Sequence, residues 1–325
     1  MQFSVIIPTR NRPETLKVAI MSVLNQTSDD FEIIVVNDGS DDKYDEDYLK
    51  LSDELGEKVQ ILHIEKSWNG HGPNYPRNMG VRIAKGDYLC FLDDDDEWID
   101  ENHLSVAYET LKQSKADVYF TNQKVYFNNE CTFQQIWLAE LDSKIDKSTK
   151  TLINGAYPVT INELLSVDGF CHLNTSIVKK ELFFEINGFD EHIPYEEDRA
   201  FYYRVIDAAK LIFHFPKETS RHNVPDATKQ SNVSTSVLKL ERMLSRLSFL
   251  NYGIVQRKNE KIRDLLKKHR MYTLKAISEE LYQSGDYRTA SHYANEALIV
   301  GFNVKWLLFT SWLFFRAIFE NKEKK

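Results

Sequence analysis

The chain has 325 residues, 42% of them hydrophobic and 28% charged, with a net charge of −8. That is ordinary globular composition, long enough for one large domain and a smaller one, and the acidic balance excludes a general nucleic-acid binder. The charge is uneven: residues 256–325 hold 14 Lys+Arg against 8 Asp+Glu, a net of +6, which leaves −14 for residues 1–255, so a basic tail fit for an anionic partner follows an acidic body.

Residues 3–8 read as an apolar strand stopped by Pro8. This is not the charged start and apolar core of a leader, so the chain is expected in the cytoplasm. Three cysteines, Cys90, Cys131 and Cys171, lack ligand spacing and cannot pair evenly; they read as core residues of a reducing compartment. The sequons at Asn25, Asn174 and Asn232 then read as chance matches.

Residues 13–25 carry Leu16, Ile20, Val23 and Leu24 at helical spacing, with Pro13 suited to a first turn. Residues 31–36 are a β-branched buried strand, and 37–42 a polar turn. A charged helix is predicted over 44–55, a third strand over 59–64, a two-glycine loop over 66–72 and a helix over 74–85 closed by Gly86. The fourth strand, 87–92, breaks into Asp93, Asp94, Asp95 and Asp96.

Four like charges at a strand end repel one another. A hard cation, Mg²⁺ or Mn²⁺, offsets that cost, because it takes oxygens from one or two carboxylates plus a substrate phosphate. Alternation along a strand sends Asp93 and Asp95 to one side and Asp94 and Asp96 to the other. The competing reading is a solvated acidic turn that caps the next helix, for which one or two such residues suffice.

Strands alternating with helices over the first 98 residues predict a parallel α/β sheet. Ligands of such sheets bind beyond the carboxyl ends of the strands. Four polar segments converge there: 8–12, 37–42, 66–72 and 93–97, with Thr9, Asn11, Arg12, Asp38, Ser40 and Asn69 as nucleotide-gripping candidates. No Walker loop and no dinucleotide fingerprint occurs at these turns, which argues against an ATPase or a dehydrogenase. Trp98 stands where a calcium EF-hand loop needs glycine.

Further on, a helix is predicted over 102–114, a strand over 117–126 and a strand near 172–178. A helix over 180–187 capped by Gly188, a helix over 197–209 and a short last strand over 210–215 follow. Residues 127–175 carry no interpretable pattern. Glu196, Glu197 and Asp198 suit the start of a helix.

Together these motifs resemble family 2 glycosyltransferases. The resemblance rests on Val5–Arg12, Glu32–Ser40, Arg77-Asn78-Met79-Gly80, Gly86 to Trp98, Gly188–Glu191 and Glu197-Asp198, in order over residues 1–225. It implies a GT-A fold, a Rossmann-like, mostly parallel central sheet with flanking helices, and inverting transfer from a nucleotide sugar, with UDP as carrier. It also implies that Pro8, Thr9, Asn11 or Arg12, and Asp38 form the nucleotide edge, with Asp38 accepting from the base. Arg77 helps hold the nucleotide, Asp93 and Asp95 hold the metal, Asp94 lies near the ribose, and Asp198 is the catalytic base beside Glu197. His222 matches a late metal or phosphate ligand, or is structural. Two residues depart from the pattern: Pro76, where a small residue is usual, and Asn37, where aspartate is more common. The chemistry agrees with the residue types: displacement at an anomeric carbon needs one base for the acceptor hydroxyl and a neutralised leaving group.

Residues 226–325 are predicted helical, with one tetratricopeptide-like helix–turn–helix around Gly285. Residues 304–319 are apolar nearly all round, yet short for a bilayer span and interrupted by Lys305 and Arg316. With Lys322, Lys324 and Lys325 they suit the surface of an anionic membrane; the rival is burial against the catalytic domain or a second subunit, as in a homo-oligomer. The expected activity is extension of a surface polysaccharide or lipid-linked glycan by a peripheral enzyme at the inner face of the cell membrane. A sugar-phosphate nucleotidyltransferase and a non-catalytic nucleotide-sugar or glycan binding module are the alternatives.

Overall fold

The computed structural model describes residues 1–132, 137–224 and 237–323. Contacts divide the chain into two compact units, Met1–Asp226 and Ala227–Lys325. The 225/226 boundary predicted from sequence lies outside the described residues, as do Asn232 and Lys324–Lys325.

The first unit is built on one sheet. β1 (Phe3–Thr9), β2 (Phe31–Asn37), β3 (Val59–His63) and β4 (Tyr88–Phe91) are all parallel, in the order β3-β2-β1-β4. The apolar runs of β1, β2 and β4 are buried on both faces, while the edge strand β3 is half-exposed; helices α1 (Pro13–Leu24), α2 (Asp45–Leu55) and α3 (Asn74–Ile83) form the crossovers. β1 continues through Pro8 to Thr9. Its pairing with β4 has ended by Ile6, so the missing Pro8 N–H breaks no ladder on that side.

α3 ends at Ile83 and Gly86 is not its left-handed cap, contrary to the sequence expectation: Ala84 closes the helix in extended conformation. Gly86 is required by close approach instead. A Cβ there would stand 2.6 Å from the Phe3 carbonyl carbon and from Ser4 N. Pro76, the residue that departs from the family pattern, falls in the first turn of α3, where an N–H has no intrahelical partner.

Beyond β4 come β5 (Glu97–Trp98), α4 (His103–Ser114), β6 (Val118–Phe127) and β7 (Glu130–Thr132). The stretch without sequence pattern holds short pieces: α5 (Leu141–Lys144), β8 (Tyr157–Val159) and α6 (Ile161–Leu164). β9 (Ser176–Lys179), α7 (Lys180–Glu185), α8 (Glu197–Ala208) and β10 (Ile212–Asn223) complete the unit. β9 joins β4 antiparallel, β6 joins β9 antiparallel, and β10 runs parallel to β6. The start of β9 and the end of β10 therefore reach the same edge as the carboxyl end of β4.

The last strand is twelve residues long, not the six predicted. It passes Pro216 by shifting register against β6 between His214 and Glu218, the irregularity that a residue without an N–H demands. Cys90 and Cys171 are buried as expected, but Cys131 is exposed on β7.

The second unit is helical: α9 (Lys239–Gln256), α10 (Glu260–Gln283), α11 (Tyr287–Val300) and α12 (Val304–Glu323). α10 and α11 meet around Gly285, whose φ of +86° makes the turn, and Asp286 caps α11 by accepting from Thr289 N. Ile277, Leu281, Ala290, Ala294 and Leu313 form its core.

Candidate active site

The site forms where the β1, β2 and β4 carboxyl ends meet the start of β9 and the end of β10. Two of the four aspartates are framework. Asp94 is buried; it accepts from Thr9 Oγ1 at 2.7 Å and from Arg12 Nη1 at 3.1 Å. Asp96, 1% exposed, accepts from Asn174 Nδ2 at 2.5 Å and Asn223 N at 2.7 Å, and His222 Nδ1 lies 2.8 Å away. The other two stay accessible: the Asp93 and Asp95 side chains are 25% and 27% exposed. Arg77 Nη2 donates to Asp93 at 2.7 Å and Arg12 Nη1 to Asp95 at 3.0 Å.

The charge balance is tight. Burial and the charges of Asp96, Asp94 and Asp93 push the Asp95 carboxyl up to about 7. Burial likewise pushes Asp94 up to about 6, against the pull of Arg12 and Thr9. Asp93 is held low despite burial, because Arg77 neutralises it. Burial opposes charge on His222, but its bond to Asp96, with the charges of Asp96, Asp93 and Asp95, raises it to about 9.

Arg77 joins the two acidic groups of the site. From α3 its guanidinium donates through Nη2 to Asp93 and through Nη1 to Glu197 at 3.1 Å, and the residue is 4% exposed. The neighbouring asparagines hold the incoming chain. Asn74 Nδ2 donates to the Ile193 carbonyl, and Asn78 exchanges bonds with the Phe189 backbone. These bonds fix the entry to α8, whose cap residue Glu196 takes φ +59°. Asp198 follows in the first turn, accepting from Arg199 N at 2.7 Å. Burial, then the charge of Glu197, raises its carboxyl to about 7.

The expected nucleotide edge is one hydrogen-bonded surface. Asp38 N donates to the Thr9 carbonyl, Asn11 N to Ser40 Oγ, and Asp41 N to Asn11 Oδ1. Asn11 has φ +61°, a conformation asparagine tolerates. Pro8 pairs with Val36 inside this edge. Asn37 accepts from Ser40 N and so shapes the turn with an amide. Asp38 is buried and its carboxylate receives His71 N at 2.8 Å, with His71 Nδ1 2.6 Å away. Gly70, at φ +75°, lets this loop close on Asp38: a Cβ there would stand 2.7 Å from Asp38 Oδ2. Asn69 is exposed on the same loop.

Sequence reasoning missed four contributors. Asn174, read only as a chance sequon, is 1% exposed; it accepts from Asp93 N and donates to Asp96. His172 approaches Asp93 with Nε2 at 3.9 Å, and burial lowers it to about 4. Trp137 stacks edge-on to both His172 and His222. Tyr48 bonds with Thr9 and with Arg12 N. No local motif announces them; the antiparallel return of β9 brings the first two to the site.

A family model described as glycosyl transferase family 2 matches residues 4–184. The glycosyltransferase GlyG of Streptococcus pneumoniae serotype 4 is 27% identical over 221 residues, 65% of this chain and 67% of its own. The poly(ribitol-phosphate) beta-glucosyltransferase of Bacillus spizizenii is 34% identical over 121 residues, 36% of this chain but 18% of that protein, so this chain matches under a fifth of that relative. Staphylococcus aureus TarS 1-349, solved in complex with UDP-GlcNAc, has a TM-score of 0.68 at 19% identity over 98% of this chain and 88% of that one, a likeness of fold.

Proposed function

The chain belongs to glycosyl transferase family 2, and from that premise we propose that it moves a sugar from a UDP-sugar to a hydroxyl of a glycan or lipid-linked acceptor, with inversion, in surface polysaccharide synthesis. The observation that carries this reading is Arg77, whose one guanidinium holds Asp93 of the aspartate run and Glu197 beside the base. Two carboxylate groups some hundred residues apart in sequence thus serve one site. UDP is the proposed carrier because a neighbour of the same fold was solved in complex with UDP-GlcNAc; a polymeric acceptor is in line with the poly(ribitol-phosphate) beta-glucosyltransferase among the relatives.

In this reading Asp38 accepts from the base, and Pro8, Thr9, Asn11 and Arg12 line the nucleoside end. Asn69 approaches from its loop, and Asp94 keeps Thr9 and Arg12 in place beside the ribose. Asp198 takes the proton of the acceptor hydroxyl as that oxygen attacks the anomeric carbon. A carboxyl raised to about 7 is matched to this task near neutral pH. Glu197, tied to Arg77, contributes the negative charge that keeps the base proton-hungry.

The residues present fit a hard divalent cation, Mg²⁺ or Mn²⁺. Asp93 and Asp95 would hold it, with the His222 ring nearby. Burial and, after it, the crowding of negative charge lift Asp95, and that crowding is the condition such an ion would relieve. No three His, Cys, Asp or Glu side chains form a closed metal cage among the described residues; a cation that also takes substrate phosphate oxygens needs none. Bound there, such an ion would supply positive charge to offset the negative charge of a departing diphosphate.

The test is transfer from labelled UDP-sugars with Mn²⁺, with chelator, and with Asp198→Asn. Metal-dependent release of UDP that Asp198→Asn abolishes supports the reading. Full turnover by that variant rejects Asp198 as base.

A further inference from the structure

Helix α12 presents a surface that sugar transfer does not use. Its inner face packs Trp306, Phe309 and Leu313 against Ala290, Ala294 and Ile277, and Trp306 Nε1 donates to the Ala294 carbonyl at 3.0 Å. A helix with one buried stripe ordinarily turns polar residues outward; this one does not. At about 100° per residue, Val304, Leu307, Leu308, Trp312, Phe315 and Ile318 form the outward side, all of them opposite Leu313 except Trp312, which lies on the flank against Tyr282 and Phe309. They are 62%, 39%, 66%, 40%, 60% and 43% exposed. Lys305 and Arg316 run along one margin of this stripe, where long basic side chains can reach past an apolar bed to a charged surface.

The charge of the unit adds to this. Residues 227–325 hold 18 Lys+Arg against 9 Asp+Glu, a net of +9, whereas residues 1–226 come to −17. No helix among the described residues is long and apolar enough to cross a membrane. A stripe that is wide, apolar and basic-edged, on a helix too short in hydropathy to span, matches a helix lying in the plane of a lipid surface.

We infer that the outer face of α12 docks this protein on a bilayer rich in anionic lipid, with Leu308 and Phe315 among the acyl chains and Lys305 and Arg316 at the phosphates. Charge selects lipid over a second copy. Two-fold pairing through this face would bring two basic units together, while an anionic bilayer supplies the opposite sign.

The experiment is sedimentation of the full chain with vesicles of phosphatidylcholine alone or with about 30 mol % phosphatidylglycerol. The chain is expected to pellet with the anionic vesicles and to partition about tenfold less onto neutral ones. Leu308→Glu with Phe315→Glu is expected to leave the protein in the supernatant. Because that pair could disturb folding, quenching of tryptophan fluorescence by brominated phosphatidylglycerol is read on the unaltered chain as well. Absence of pelleting or quenching overturns the inference, and so does equal binding to both vesicle types. A lipid-free dimer, seen by light scattering and dissolved by the same substitutions, also overturns it and assigns the face to a second copy.

Discussion

Replacing Asp198 with asparagine separates a catalytic burden from a stability cost. The carboxyl is raised from 3.8 to about 7, first by burial and then by Glu197. At about 1.4 kcal/mol per pKa unit, that shift corresponds to about 4 kcal/mol. The side chain keeps some contact with solvent, so about 2 kcal/mol is the working figure after screening. The folded carboxyl binds its proton more tightly than the unfolded one. The destabilisation is therefore absent below the unfolded value near 3.8 and complete above the folded value near 7. Asparagine keeps an oxygen for the Arg199 N–H at 2.7 Å and carries no charge. Asp198→Asn is thus expected to be more stable than the natural chain by about 2 kcal/mol near pH 8.5, with most of that gain gone near pH 4.5. Urea midpoints at the two pH values measure it, and UDP affinity by calorimetry should stay within about threefold, as the side chain makes no nucleotide contact in the proposed mechanism. A gain equal at both pH values, or a loss at pH 8.5, would show that the carboxyl is not strained by burial and undo the case for its tuned basicity.

Four more outcomes follow from the same geometry. The rate of transfer by the natural chain should fall about tenfold per pH unit below about 7, as Asp198 gains its proton; a flat profile down to pH 5 contradicts the assignment. Arg77→Gln leaves Asp93 and Glu197 without their shared cation, so a loss of about 3 kcal/mol is expected by chemical denaturation, together with loss of transfer. Gly70→Ala places a methyl 2.7 Å from Asp38 Oδ2 at a φ of +75°, and UDP affinity measured by calorimetry should drop about tenfold. His222→Gln removes an imidazole raised to about 9 by Asp96. That stability is present below the unfolded value near 6.5 and lost as pH rises through 9, so without added metal the variant should be weaker by about 2 kcal/mol at pH 6 and nearly equal at pH 10.

The parallel half of the fold was legible because its signals are local. A run such as Phe31–Val36, short and β-branched, reads as a buried strand, and in the sheet it pairs with β1 from Phe3–Phe31 to Thr9–Asn37. The convergence of Thr9, Asp38 and Asp93 at one edge followed from parallel topology alone. The expected pairing of Asp93 with Asp95 and of Asp94 with Asp96 has its counterpart in exposure, but the cause is a turn and not strand alternation: β4 ends at Phe91, Asp96 N donates back to the Asp93 carbonyl, and Arg12 Nη1 reaches both Asp94 and Asp95. Two misreadings were also local. Gly86 looked like a helix cap, yet it is there because the Phe3–Ser4 backbone leaves no room for a side chain. The last strand was expected to end at Phe215, yet a register shift carries β10 past Pro216 to Asn223.

What residue order by itself determined here is chemistry and element type: four carboxylates at a strand end, an acidic pair at a helix start, an arginine ahead of both in the chain. Only the tertiary structure decided who meets whom. Arg77 is 16 residues from Asp93 and 120 from Glu197, and it touches both. Asn174 and His222 reach Asp96 because β9 runs antiparallel to β4 and β10 parallel to β6. The physical reason is that a charge finds its partner through space, and the cost of leaving a buried carboxylate unpaired is levied on the folded chain alone.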